Sequence, residues 1–203
     1  MRFIIIFLLF LNSSCAQQVN KPVHTVDPAA KKLKDSAVFI AMHSYEYAKA
    51  VALLDNATQI DSDYFGAYTN KMSFQVMVKP FNADKMIEIL KSLNRLRPLD
   101  PQYYMNIGML YYKKGDSLTS ATYFNDALLH FDSILDTIHT TTPGYEVLVL
   151  SKAYTLFFQG QDQNAHDLLQ KLYETTNDSV VKEVILPALK KTRKDIIAGL
   201  IQY

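Results

Sequence analysis

The chain repeats itself with a period of about 34 residues. The copies begin near Lys31, Ala67, Pro101 and Glu146, with spacings of 36, 34 and 45 residues between successive starts. A period of this size is typical of stacked helical pairs, in which each pair buries an apolar face against the next. We therefore predict an all-α chain of about four helical pairs, closed by one or two capping helices within residues 180–203. The longer last spacing predicts an extended helix end followed by a loop.

The copy that begins at Pro101 has the clearest pattern. It combines aromatic and small residues at fixed spacing, namely Tyr104, Gly108, Tyr111, Gly115, Ser120, Phe124 and Ala127. The small residues let two helices approach closely, and the aromatic rings fill the space between them. This pattern resembles the tetratricopeptide repeat (TPR), and the resemblance implies a TPR-like α-solenoid over about 150 residues. An irregular antiparallel helical bundle without true repeats is the alternative.

The N-terminus has the organisation of a secretory signal. Arg2 precedes an unbroken apolar run over residues 3–11, and the small polar residues Asn12, Ser13 and Ser14 follow. One basic residue, a short apolar segment and a zone of small residues are the three parts of a signal peptide. We predict that residues 1–14 are a leader and that the chain is exported.

Cys15 is the only cysteine, so an intramolecular disulfide is impossible. The run from Leu11 to Cys15 resembles a bacterial lipobox, which implies that Cys15 is lipidated and becomes the first residue of the mature protein. Asn12 departs from that pattern, because an aliphatic residue usually stands there. Cleavage after Ala16, leaving a soluble protein that begins at Gln17, is the alternative.

The lipobox resemblance sets the predicted domains and location. Residues 15–31 contain polar residues and two prolines, and we predict that they form a flexible tether. Residues 32–203 then form the TPR-like domain. We expect the protein to be lipid-anchored in the cell envelope and to face the periplasm, with the inner or outer membrane left open. A soluble periplasmic or secreted protein is the alternative location.

Charge and composition exclude other classes of function. The 21 Lys and Arg residues balance 20 Asp and Glu residues, and removal of Arg2 with the leader leaves no net charge. Binding to nucleic acid is therefore not expected. A basic cluster on the predicted final helix, comprising Lys190, Lys191, Arg193 and Lys194, is interpreted as a solvated face.

The sequence offers few catalytic residues. The five histidines are scattered, and no two have the spacing that places both imidazoles on one helix face for a metal. The segment 61–66 weakly resembles a calcium loop but lacks the glutamate ligand. Ser179 and Lys182 have the spacing of a serine acyl-enzyme, although the companion motifs are missing and Ser179 suits a helix cap. We therefore predict no catalytic residues, no metal, no cofactor and no enzymatic activity.

The TPR resemblance points instead to a binding surface. In TPR-like folds the first helix of each pair lines a concave groove, and its inward positions in this chain are rich in aromatic residues and methionine. These positions are Phe39, Met42, His43, Tyr68, Lys71, Met72, Gln75, Met105, Asn106, Met109, Tyr112, Leu150, Tyr154 and Phe158. Such a surface suits an apolar or extended peptide segment. Burial of these residues in the core is an equally weighted alternative.

Two classes of function fit this sequence. The first is a non-enzymatic scaffold of the bacterial cell envelope that binds another protein or peptide through the groove and reaches the membrane through lipid on Cys15. The second is a helical substrate-binding lipoprotein that captures glycans, or an immunity lipoprotein that neutralises a toxin. The sequence does not identify the partner.

Overall fold

A computed structural model describes residues 24–200. Within this range the chain forms ten α-helices and no strand, which confirms the predicted all-α fold. The helices are α1 (Pro28–Ser44), α2 (Tyr47–Ile60), α3 (Phe65–Met77), α4 (Ala83–Leu96), α5 (Pro101–Lys113), α6 (Ser117–Leu135), α7 (Tyr145–Phe158), α8 (Asp162–Thr175), α9 (Ser179–Lys190) and α10 (Arg193–Leu200).

The helices are organised in consecutive pairs. Their first members, α1, α3, α5 and α7, begin within three residues of the four predicted repeat starts, and α9 and α10 follow as closing helices. α6 is the longest second helix and continues to Leu135, as the extra spacing before the fourth copy predicts. Pro187 lies inside α9. The prediction of four helical pairs with C-terminal capping helices is confirmed.

Asp and Asn side chains fix where several helices begin. The Asp27 carboxylate accepts hydrogen bonds from the backbone N–H groups of Ala29 and Ala30, and Pro28 takes the first helical position. Residues 28–31 are therefore helical, and the boundary predicted between tether and repeat domain is about four residues too late. The other side-chain caps are Asn82, Asp100, Asp116 and Asp178.

The pair α5 and α6 shows why small residues recur in the sequence pattern. A β-carbon added at Gly108 would lie 2.8 Å from two ring carbons of Phe124, so any larger residue forces the two helices apart. Gly115 adopts a φ of 81° between the helices, a conformation that favours glycine. These positions explain the Gly108, Gly115 and Phe124 elements of the repeat.

The chain divides into two compact units, one that ends at Pro98 and one that continues from Leu99. The sequence predicted a single domain here. The division falls in the turn between α4 and α5, where Pro98 interrupts the helices. In each unit a lysine–aspartate ion pair joins two successive helical pairs. Lys71 of α3 pairs with Asp55 of α2, and Lys152 of α7 pairs with Asp132 of α6.

The core between the first three helices differs from the core of the second unit. In the unit that contains α1–α4, the core between the first three helices consists almost entirely of alanine: Ala30, Ala37, Ala41, Ala50, Leu54, Ala57 and Ala67. In the unit that contains α5–α10, aromatic and long aliphatic side chains fill the space between helices. Examples are Met105, Phe124, Phe131, Leu148, Phe157, Phe158, Leu169 and Ile185.

Candidate functional site

Four predicted groove residues lie on α3. Tyr68, Met72 and Gln75 are buried, and Lys71 keeps only part of its side chain exposed. The Lys71 ammonium lies 2.5 Å from a carboxylate oxygen of Asp55 on α2 and 6.0 Å from the centre of the Tyr68 ring. Of the predicted positions on this helix, Lys71 alone is partly accessible in the free chain.

The predicted groove residues of α5 and α7 are also mostly buried. Met105, Met109, Tyr154 and Phe158 are each less than a tenth exposed, whereas Tyr112 is half-buried. The Tyr112 ring meets Phe158 edge to face, with 5.2 Å between ring centres. Burial raises the pKa of the Tyr154 phenol to about 12, because the charged phenolate is poorly solvated there. Tyr112 is therefore the accessible member of this set.

The predicted groove residues of α1 are exposed, unlike most of those on α3, α5 and α7. Phe39 is 61% exposed and Met42 is 65% exposed, and His43 is also exposed. The His43 ring stacks on Phe39 at 4.2 Å, and its Nδ1 donates a hydrogen bond to the Phe39 carbonyl oxygen. The small residues Ala30, Ala37 and Ala41 occupy the buried side of α1 instead.

A buried polar contact that sequence inspection missed joins α5 to α7. The Gln102 side-chain amide donates a hydrogen bond to the Ser151 hydroxyl at 2.9 Å, and that hydroxyl donates to the Val147 carbonyl oxygen. Thr155, one turn further along α7, donates to the Ser151 carbonyl oxygen. The only signal in the sequence is that Ser151 and Thr155 are small hydroxyl residues among the apolar and aromatic residues on the buried side of α7. Buried polar groups that hydrogen-bond to each other in this way fix the relative orientation of two helices, and we assign them no catalytic role.

Asp61 and its neighbours resembled part of a calcium loop, but they make structural contacts. The buried Asp61 carboxylate accepts hydrogen bonds from His24 Nε2 at 2.8 Å, from the Asp27 backbone N–H at 3.0 Å and from the Asp63 backbone N–H at 3.1 Å. Asp63 in turn pairs with Arg95 on α4 at 2.7 Å. The inter-repeat turn predicted for this segment is present, because α2 ends and α3 begins on either side of it.

The Asp61 hydrogen bonds also affect its ionisation. Burial by itself would raise the pKa of the carboxyl group, because the charged form loses solvation. The hydrogen bonds from Asp27, His24 and Asp63 outweigh burial and hold the pKa below its ordinary value of 3.8. The Asp61 cluster, defined as His24, Asp27, Asp61 and Asp63, therefore fixes the start of α1 on the turn between α2 and α3.

The remaining chemical candidates are not assembled into a site. Within residues 24–200 no group of three His, Cys, Asp or Glu side chains is arranged to hold a metal ion. Ser179 is the first residue of α9, and the helix cap is Asp178 rather than Ser179 as proposed from the sequence. The Lys182 ammonium lies 5.4 Å from the centre of the Tyr173 ring, where it makes a cation–π contact.

The basic cluster contains one structural residue. Arg193 donates hydrogen bonds to the carbonyl oxygens of Phe157 and Phe158 at the end of α7, at 2.6 and 3.2 Å. The Phe157 carbonyl oxygen also accepts a hydrogen bond from the Gly160 backbone N–H, so the guanidinium adds a side-chain cap to the end of α7. Lys190, Lys191 and Lys194 are exposed, which agrees with the solvated face predicted from the sequence.

The predicted leader, Cys15 and most of the predicted tether lie outside the described residues. Across residues 24–200, no helix combines the length and the apolar character needed to cross a membrane.

Comparison with known proteins identifies the fold. No family model and no curated protein sequence matches the chain. Among solved structures, it is similar to PilW, described as a widely conserved type IV pilus biogenesis factor. The match has a TM-score of 0.51 at 17% sequence identity and covers 86% of this chain and 77% of the PilW chain. The TPR-like helical fold predicted from the sequence is confirmed.

Proposed function

We propose that the chain is a non-enzymatic scaffold of the bacterial cell envelope that binds another protein or a peptide. The observation that carries the proposal is the TPR-like arrangement of helical pairs, a fold whose repeated helices present extended surfaces to protein partners. The name of PilW as a biogenesis factor supports an assembly role of this general kind.

The binding residue that we propose first is Tyr112 on α5. Tyrosine contributes a large rigid contact area together with a hydroxyl group, and it is enriched among residues that dominate binding energy. Tyr112 is the predicted residue of the second unit that keeps part of its ring exposed, and its edge-to-face contact with Phe158 holds that ring in place. In the first unit, Lys71 is the partly accessible residue among the predicted positions of α3.

The test is crosslinking of the mature chain in membranes, followed by purification of the partner and measurement of its affinity. We expect Tyr112→Ala to weaken binding by about 30-fold, equivalent to about 2 kcal/mol. Tyr173→Ala is the matched control, because Tyr173 is a half-buried tyrosine on the second helix α8. Equal losses of affinity in the two variants, or normal binding by Tyr112→Ala, would show that the predicted groove does not bind the partner.

The proposed location depends on Cys15. A lipidated Cys15 would hold the scaffold at the membrane, since acyl chains supply the membrane affinity of such proteins. We expect the protein to partition into detergent and Cys15→Ala to release it or block its maturation. Mass spectrometry of the native N-terminus measures the outcome directly, and a mature chain that begins at Gln17 would contradict the anchor while leaving the binding proposal intact.

A further inference from the structure

Helix α1 places its large apolar side chains outside and its small ones inside. At 100° per residue, Phe39 lies on the side of the helix opposite Ala30, Ala37 and Ala41, which are buried. Phe39, Met42 and the following Tyr45 are 61%, 65% and 71% exposed. Solitary exposed apolar residues are ordinary, but three on one end of one helix form a patch that suits an interaction.

Charged residues lie at the other end of the same outer side, where Lys31 and Lys32 outnumber Asp35. A shallow open groove runs along α1, with Lys31 and Lys32 near its start and Phe39 and Ile40 near its far end. Lys31 is paired with Asp35, whereas Lys32 makes no ion pair with any described residue. Residues 21–49 contain five lysines against three acidic residues. We define the α1 outer face as Lys31, Lys32, Phe39, Met42 and Tyr45.

We propose that the α1 outer face lies against the lipid bilayer, with its lysines on anionic headgroups and its apolar residues at the interface. This inference rests on the lipid anchor proposed above. Tyrosine and other apolar residues beside lysines are the composition of helices that lie on membranes, where the aromatic residues occupy the headgroup region. Lysines on such helices are attracted by anionic lipids.

Chain length brings this face to the bilayer. His24 is held on Asp61 beside the start of α1, so only the segment from Cys15 to His24 separates a lipid on Cys15 from the repeat domain. That segment spans at most about 30 Å when extended and about 16 Å on average as a coil. α1 is itself about 25 Å long. Of the described helices, α1 is therefore the one joined most directly to a lipid on Cys15.

The sequence makes a direct test possible. The chain has no tryptophan and a single cysteine, so one introduced tryptophan reports its own surroundings and a maleimide lipid couples at Cys15 alone. The mature chain starting at Cys15 is coupled in this way and bound to phosphatidylglycerol–phosphatidylcholine vesicles with brominated acyl chains. Tryptophan fluorescence is compared with that in unbrominated vesicles, and circular dichroism checks that each variant is folded.

We expect bromolipid to quench Phe39→Trp and Met42→Trp about twofold or more, because both positions lie at the interface. Leu118→Trp on α6, where leucine is 82% exposed, is the control and stays unquenched. Unchanged emission of both α1 variants, or equal quenching of Leu118→Trp, overturns the proposal. If the tryptophan fluorescence of the α1 variants changes only when the captured protein partner is added, the α1 outer face binds that partner and not the bilayer. Because the lipid is coupled in vitro, these outcomes are separate from whether the cell lipidates Cys15.

Discussion

The core between α1, α2 and α3 and the core of the second unit serve the same helical pairing but contain different side chains. The fourth helix of the first unit buries large side chains, namely Met86, Ile87, Ile89, Leu90 and Leu93. Alanines lie between α1, α2 and α3, whereas phenylalanine, methionine and leucine lie between the helices of the second unit. Alanine lets helices approach closely but buries little apolar area per residue, while each buried aromatic ring removes about 150 to 250 Å² from water. The first core is therefore sensitive to enlargement, and the second is sensitive to loss of volume.

The largest expected effect is in the aromatic core. Phe157 is fully buried and meets His166 edge to face at 5.0 Å. Phe157→Ala should lower the free energy of unfolding of the second unit by about 3 to 5 kcal/mol, because it leaves a cavity in a packed interior. Urea denaturation measures the loss, and hydrogen exchange should place it within residues 99–200.

The control for this variant is Leu129→Ala on α6, since Leu129 is mostly exposed. It should change stability by less than about 0.5 kcal/mol. Similar losses in both variants would contradict the assignment of Phe157 to the core.

An intermediate effect is expected from enlarging the alanine core. Ala37→Leu adds three carbon atoms between helices that have no room for them, and we expect a loss of about 1 to 3 kcal/mol. Ala48→Leu, on the exposed side of α2, is the matched control and should be nearly neutral. Hydrogen exchange should show faster opening of residues 24–98 in Ala37→Leu alone. A stabilised Ala37→Leu variant would mean that the alanine core contains unfilled space.

The smallest effect concerns the Asp61 cluster. Asp61→Asn should destabilise the first unit by roughly 1 kcal/mol at neutral pH, since it weakens hydrogen bonds to a buried carboxylate. The pKa of Asp61 is lowered on folding, so its charge stabilises the fold above the unfolded pKa of about 3.8 and this contribution disappears as the pH falls below that value.

The pH dependence provides the measurement for this cluster. Below pH 3.8 the wild-type unit should lose stability more steeply than the Asp61→Asn variant, as followed by thermal unfolding over a pH series. Parallel curves for the two proteins would show that the Asp61 carboxylate is not stabilised by its neighbours.

Much of the fold could be predicted from the sequence because the residues that start and end its helices act through local backbone geometry. Pro101 after Asp100, and Gly115 before Asp116, specify a helix start and a turn through backbone geometry alone. The start of α1 was placed too late because Pro28 was interpreted as part of a tether, although a proline after an aspartate also begins a helix well.

The site was harder to predict because periodicity identifies a face of a helix and not what covers it. Met105 and Phe39 occupy comparable first-helix positions, yet Met105 is buried against other helices and Phe39 is exposed. The inward positions of α1 were assigned from the TPR resemblance, whereas its alanines occupy the buried side. The Gln102–Ser151 hydrogen bond joins residues 49 positions apart, and no local pattern indicates such a pairing.

The Asp61 cluster also sets an order of events during synthesis. Asp61 follows His24 by 37 residues, and the chain emerges from its N-terminus at about 5 to 20 residues per second. For roughly 2 to 7 seconds, therefore, His24 has no Asp61 to bind it. An enzyme that acts on the chain beside His24 meets that residue without its partner during the interval, and bound to Asp61 afterwards.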